Sequence, residues 1–184
     1  MREMQGTAAA GEARASWAVA PDDTIAWVDS GFHELADYHG VPDLGQRAVG
    51  RPLIEFVAGG KPQELQLELL ARARRSDEPL RLRYRCDSPG ERRVGFLELT
   101  GQPGGGVVLR STFTERERRS PEPLLDPSVP RHGSSVRECA WCNRFDVDGW
   151  RDAEEAARRV TTGPLPPIEW SICEICSMLL LERP

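Results

Sequence analysis

The sequence predicts an α+β fold, a five-stranded antiparallel sheet with helices on one face, followed by a small tetracysteine zinc-binding module. Three observations carry this reading. Two strand-like segments, a helical middle and three more strand-like segments succeed one another between residues 16 and 113. From 114 to 137 the chain turns rich in proline, serine and charge without periodicity, which predicts a linker. From 138 to 184 lie two C-x2-C pairs, Cys139 with Cys142 and Cys173 with Cys176.

Residues 1–15 are small, polar and alanine-rich, and are expected to form a flexible N-terminal segment. "SWAVA", the turn "PDDT" and "IAWV" then read as a hairpin. "DSGFHELADYHG" opens on cap-competent Asp29 and Ser30 and closes at Gly40, as a short helix does. Pro62 stands where a first-turn proline belongs, and Leu65, Leu69 and Ala73 fall one turn apart with Leu67 and Leu70 beside them. That pattern predicts an amphipathic helix. "LRLRYRC" alternates, placing Leu80, Leu82, Tyr84 and Cys86 on one face and arginines on the other. "DSPGER" and "GQPGGG" are turns that deliver the chain into "RVGFLELT" and "VVLRS".

Composition narrows the function classes. The net charge is -5, with Lys61 the only lysine. Residues 139–184 hold five arginines against eight acidic residues, the wrong sign for phosphate contact, so nucleic acid is disfavoured as a partner. The N-terminus has no apolar stretch of the secretory kind, and the apolar runs are too short to cross a bilayer. A cytoplasmic protein without membrane association is expected, and in a reducing compartment paired cysteines are metal ligands or redox groups more often than disulfides.

Two thiolates at i and i+3 present both sulfurs to one ion, and two such knuckles close a tetrahedron. Zinc suits four thiolates and leaves no open position, so the expected role is structural. An iron–sulfur cluster and a thiol–disulfide switch are the alternatives. Thioredoxin-type catalysis is not expected, because no strand leading through C-x-x-C into a βαβ unit is evident. The gap of 30 residues between the pairs exceeds the roughly 15–20 of a common zinc ribbon. "WRDAEEAARRV" reads as a helix within it and "TTGPLPP" as a returning loop, while "SMLLLERP" is expected to pack on that helix or on Trp141, Trp150 and Trp170.

Residues 16–113 resemble a PAS domain in element order and in "IAWVDSGFHELADYHG", "RAVGRPLIEFV" and "RLRYRCDSPGERR". The resemblance implies a sensor or interaction module, often a homodimer, sometimes holding a small ligand between sheet and helices. Cys86, Tyr84, Trp27 and Phe56 are the candidates to line such a pocket, whose ligand the sequence does not name. The cysteine-bearing helix motif of flavin photosensor members is absent, and residues 62–75 offer no histidine to a haem. His33 and His39 read as polar residues at a helix surface or end. The plain reading of Cys86 is a buried small hydrophobe.

The tail resembles a cysteine-rich module found at the C-terminus of many bacterial PAS-containing signalling proteins. "CAWCNRFDVDGW" and "EWSICEIC" carry the likeness, which assigns the ligand role to Cys139, Cys142, Cys173 and Cys176 and matches Trp150 to an internal tryptophan. Where that module has Ser-His-Gly, this chain has Glu169, Trp170 and Ser171, so no histidine serves there. With no kinase, receiver or nucleophile–base signature, the expectation is a non-enzymatic signalling sensor or adaptor acting through a protein partner. The alternatives are a redox or metal sensor using the cysteines as input, and a nucleic-acid-binding regulator using the zinc module.

Overall fold

The computed structural model describes residues 14–160 and 164–181. The expected flexible N-terminal segment lies outside the described residues up to position 13. β1 (Arg14–Val19) starts two residues ahead of the expected boundary, with Ala15 already buried opposite Ser111. β1 and β2 (Ile25–Val28) form the hairpin, its turn held by the Asp22 carboxylate accepting from the Thr24 N–H at 3.1 Å. β3 (Leu80–Arg85), β4 (Glu91–Gly101) and β5 (Val107–Arg118) complete a five-stranded antiparallel sheet in the order β2-β1-β5-β4-β3. The first and last strands are thus neighbours, and β2 and β3 are the edges.

Between the hairpin and β3 come α1 (Ser30–Tyr38), α2 (Leu44–Ala48), a 3-10 turn at Leu53–Phe56 and α3 (Lys61–Arg75). Asp29 caps α1, and its Oδ1 accepts from Phe32 N–H at 2.8 Å and from Ser16 N–H at 2.9 Å, tying the helix start to β1. α3 buries Leu65, Leu69, Leu70 and Ala73 against Val19, Leu97, Leu99, Val107 and Leu109. Leu67 departs from the expected apolar stripe and is exposed, because it points away from the sheet. At the end of α3 the backbone lies so close to β4 that a side chain at Gly101 would strike the Ala73 carbonyl.

The stretch 114–137 is not a loose linker. Its first residues finish β5, Leu124 is buried in a 3-10 turn, and Arg131 donates to the Leu124 and Pro166 carbonyls at 2.7 and 3.1 Å. Leu124 packs with Val136, Phe145 and the alanines of α4 (Ala153–Val160), a contact that composition alone conceals. β6 (Val136–Cys139), β7 (Phe145–Asp146), β8 (Trp150–Arg151) and β9 (Ile168–Ser171) form a second sheet in the order β8-β7-β6-β9. β6 and β9 run parallel, and parallel neighbours need a crossover of a dozen or more residues. α4 lies in that crossover, which explains the long gap between the cysteine pairs. Most of the predicted returning loop follows it, with 161–163 outside the described residues.

Nor do the sheet and the cysteine module stand apart. Cys139, Ile172, Cys173, Cys176 and Leu180 share one hydrophobic cluster with Leu69, Leu70 and Leu99. α5 (Glu174–Leu181) packs on α3 and not on α4, the first of the two expected partners. Of the tryptophans offered as the second, Trp141 and Trp150 pack on the cluster that holds Leu180, and Arg72 of α3 donates to the Leu180 carbonyl. No helix among the described residues is long and apolar enough to cross a membrane.

Candidate metal centre

β6 ends on Cys139, and the chain reverses at once. Asn143, at φ 52°, returns its N–H to the Cys139 carbonyl at 2.9 Å, and Cys139 N–H donates to the Arg144 carbonyl at 2.8 Å. This tight turn puts Cys142 beside Cys139. The parallel pairing sets Cys139 opposite Ser171, two residues before Cys173. Cys173 immediately precedes α5 and Cys176 lies in its first turn, so their spacing of three places both on one side of the helix start. The two knuckles therefore meet because two adjacent parallel strands end at the same level.

The four Sγ atoms all lie within 4.8 Å of one another. A tetrahedron with arms of about 2.3 Å has edges of about 3.8 Å, and Cys142 Sγ stands 3.8 Å from Cys173 Sγ. Backbone N–H groups also point at the sulfurs, from Cys173 to Cys139 Sγ at 3.3 Å and from Cys176 to Cys173 Sγ at 3.4 Å. The residues present fit a metal ion, with Cys142 the one partly exposed member. The electrostatics of the cluster suits a cation. Hydrogen bonds from Cys142 and Cys176 pull the Cys139 thiol below the ordinary range, and the same bonds with the resulting negative charge push Cys142 and Cys176 up. One thiolate therefore suppresses ionisation of Cys142 and Cys176 unless a positive ion sits among them.

A salt-bridge network ties this module to the sheet, and no local sequence pattern announces it. Asp87, its side chain 0% exposed, takes Arg85 and lies 3.5 Å from Arg119. Arg85 also donates to Asp152 at 2.6 Å, and Arg119 to Glu154 at 2.8 Å. Burial works against the Arg85 charge, and the bonds to Asp87 and Asp152 more than offset it, raising its pKa. Asn143 completes the joint, accepting from Asp87 N–H at 3.0 Å and donating to Glu138 at 2.8 Å.

The four pocket candidates meet different surroundings, although Phe56 and Tyr84 pack against the same hydrophobic cluster. Trp27 is 43% exposed on the edge strand β2, and Phe56 lies under Arg51 in the 3-10 turn, 5.1 Å from its guanidinium carbon. Tyr84 lies on the helix-covered face as expected, bonded to Ser111 and tilted on Phe113 and Trp141; burial pushes its hydroxyl up to about 12. Cys86 follows the last residue of β3, next to Arg93 and His39 instead of the leucines. Cys86 is partly exposed, and desolvation pushes its thiol up.

His39 ends α1 and, although exposed as a residue, turns Nε2 toward Arg93 at 2.8 Å. Arg93 is itself only 2% exposed and is stacked over the Tyr38 and Phe113 rings. Burial and the Arg93 charge hold the imidazole down from 6.5 to about 4. The unfolded chain therefore binds the extra proton between these values. This contribution to stability is complete above pH 6.5 and is lost as pH falls toward 4. His39→Gln is expected to flatten that part of the slope in urea midpoints measured from about pH 7 to 4; an unchanged slope would contradict this assignment. His33, by contrast, packs over Gly45, where any side chain would collide with its ring.

The strand–C-x-x-C–helix arrangement that was not expected does occur, as β9, Cys173 with Cys176, and α5. Here the pair faces two more thiols, which suits ligation. No protein-family model matches this chain, and no curated protein matches it.

Proposed function

We propose that this protein is a non-enzymatic signalling sensor or adaptor, a PAS-type sheet domain locked to a structural zinc tetrathiolate. The observation that carries the reading is the shared core: Cys139, Cys173 and Cys176 belong to the sheet domain's hydrophobic cluster and Cys142 packs against it, so a metal held there would fix the surface that the domain presents. The strand order β2-β1-β5-β4-β3, with the helices inserted between β2 and β3, supports the PAS part. Sulfurs within 4.8 Å of each other favour one ion over an iron–sulfur cluster, whose several irons would spread the thiolates apart. The four-thiolate set leaves no open position for substrate, which favours a structural role.

One observation favours the redox reading: Cys142 is partly exposed and lies next to Cys173. A peroxide could take two electrons from these sulfurs, forming one S–S bond while its oxygens leave as water. Mild peroxide on metal-loaded protein, followed with a chromogenic chelator, separates the two readings. The structural reading expects the metal to stay at stoichiometric peroxide. Release in step with a Cys142–Cys173 disulfide would make the cysteines the input instead.

A further inference from the structure

β3 has β4 on one side only. Cys86 N–H bonds inward to the Arg93 carbonyl at 3.1 Å, while Arg85 N–H turns outward to the Trp141 carbonyl at 2.9 Å. In an antiparallel ladder these directions alternate, so Arg81 and Arg83 also turn their backbone groups outward. Trp141 occupies one end of this edge, its indole N–H donating to the Arg83 carbonyl at 2.7 Å. The rest of the edge, from Glu78 to Arg83, borders a cavity of about 740 Å³ between β3 and α5.

The two sides of that cavity differ in chemistry. Leu80 and Leu82 on the helix-covered face look toward Ile175 and Leu179 of α5, both largely exposed. On the other face stand Arg81, stacked 4.2 Å from the Phe96 ring, and Arg83, whose contact with Glu115 is 3.5 Å with both side chains 64% exposed. Among the described residues, Glu78 is the single carboxylate residue lining the cavity. An added strand would meet leucines at alternate positions and arginines at the others.

We propose that this edge docks an extended segment of a partner protein in which acidic and apolar residues alternate. The segment adds as a sixth strand beside β3, with carboxylates opposite Arg81 and Arg83 and apolar side chains between Leu82 and Leu179. A second copy of this chain is disfavoured there, since β3 against β3 would set arginines opposite arginines. The inference deepens the adaptor reading by naming the class of partner.

The test titrates the full chain, its metal content measured beforehand, with fluorescein-labelled (Glu-Val)4 and (Lys-Val)4 peptides by anisotropy. Saturable binding of the acidic peptide, at least about tenfold tighter than the basic one, is expected. Arg81→Pro removes an N–H that makes no bond to β4, so the fold should persist by circular dichroism while binding weakens at least about tenfold. The double variant R81E/R83E should weaken it as well, whether or not the proline is tolerated. No saturable binding of (Glu-Val)4 to metal-loaded protein would overturn the proposal. So would binding lost in R81E/R83E but intact in folded Arg81→Pro, which would mark a general anion groove. A chain without metal would instead count against the zinc reading.

Discussion

On the proposed zinc reading, removing the metal, by chelation or by Cys139→Ser, is expected to unfold residues 136–181 and to weaken the five-stranded sheet as well. A structural zinc contributes roughly 10–16 kcal/mol in small peptides, comparable to the whole stability of a typical domain. The tail's own core is small, Val136, Phe145 and the alanines of α4 closing with Leu124, so its hold rests on the knuckles and on the joint to the sheet. Because Ile172 and Leu180 cover the same cluster as Leu69 and Leu70, their departure exposes part of the sheet's own core. Two large side chains returned to water cost about 3–6 kcal/mol, which lowers Tm by at least about 6 °C in a chain of this size. The checks are limited proteolysis for the tail and calorimetry for the sheet. A chelated protein with unchanged protease resistance and Tm would mean that the knuckles fold without metal.

Asp87→Asn is expected to cost about 3–5 kcal/mol, because removing one member of a buried charge network leaves the others uncompensated. Asp87 faces Arg85 and Arg119, whose side chains are 15% and 9% exposed, and it also accepts from Arg93 N–H at 3.1 Å. The asparagine keeps the volume and one acceptor but deletes the charge, so two arginines lose their buried counter-ion. Through Arg85 and Asp152 the damage reaches the module, which should become more protease-sensitive at the same temperature. Glu115→Gln is the control: it pairs with the exposed Arg83, and such pairs contribute about 0–1 kcal/mol. Equal losses in the two variants by urea titration would refute the assigned role of Asp87.

Legibility followed length and locality. α3 could be read because its 15 residues contain several turns, a first-turn proline and four buried positions at helical spacing. β3 could be read because six residues suffice for alternation, although the alternation misplaced Cys86 just beyond the strand. Trp27 is largely open to solvent, since a four-residue edge strand does not declare which face is covered. The cysteine pairs were legible because a spacing of three is itself the chemical requirement. What joins the module to the sheet was not legible: Arg85 meets Asp152 across 67 positions, and Trp141 meets Arg83 across 58. Such contacts leave no periodic trace, so a packed joint reads as a linker and a shared core reads as two domains.

Elemental analysis of protein purified without chelator or affinity metal tests the central claim most directly. One zinc per chain, lost in Cys139→Ser and in Cys176→Ser alike, is the result the shared tetrathiolate predicts. Folded protein with no bound metal and freely titrating thiols would contradict it.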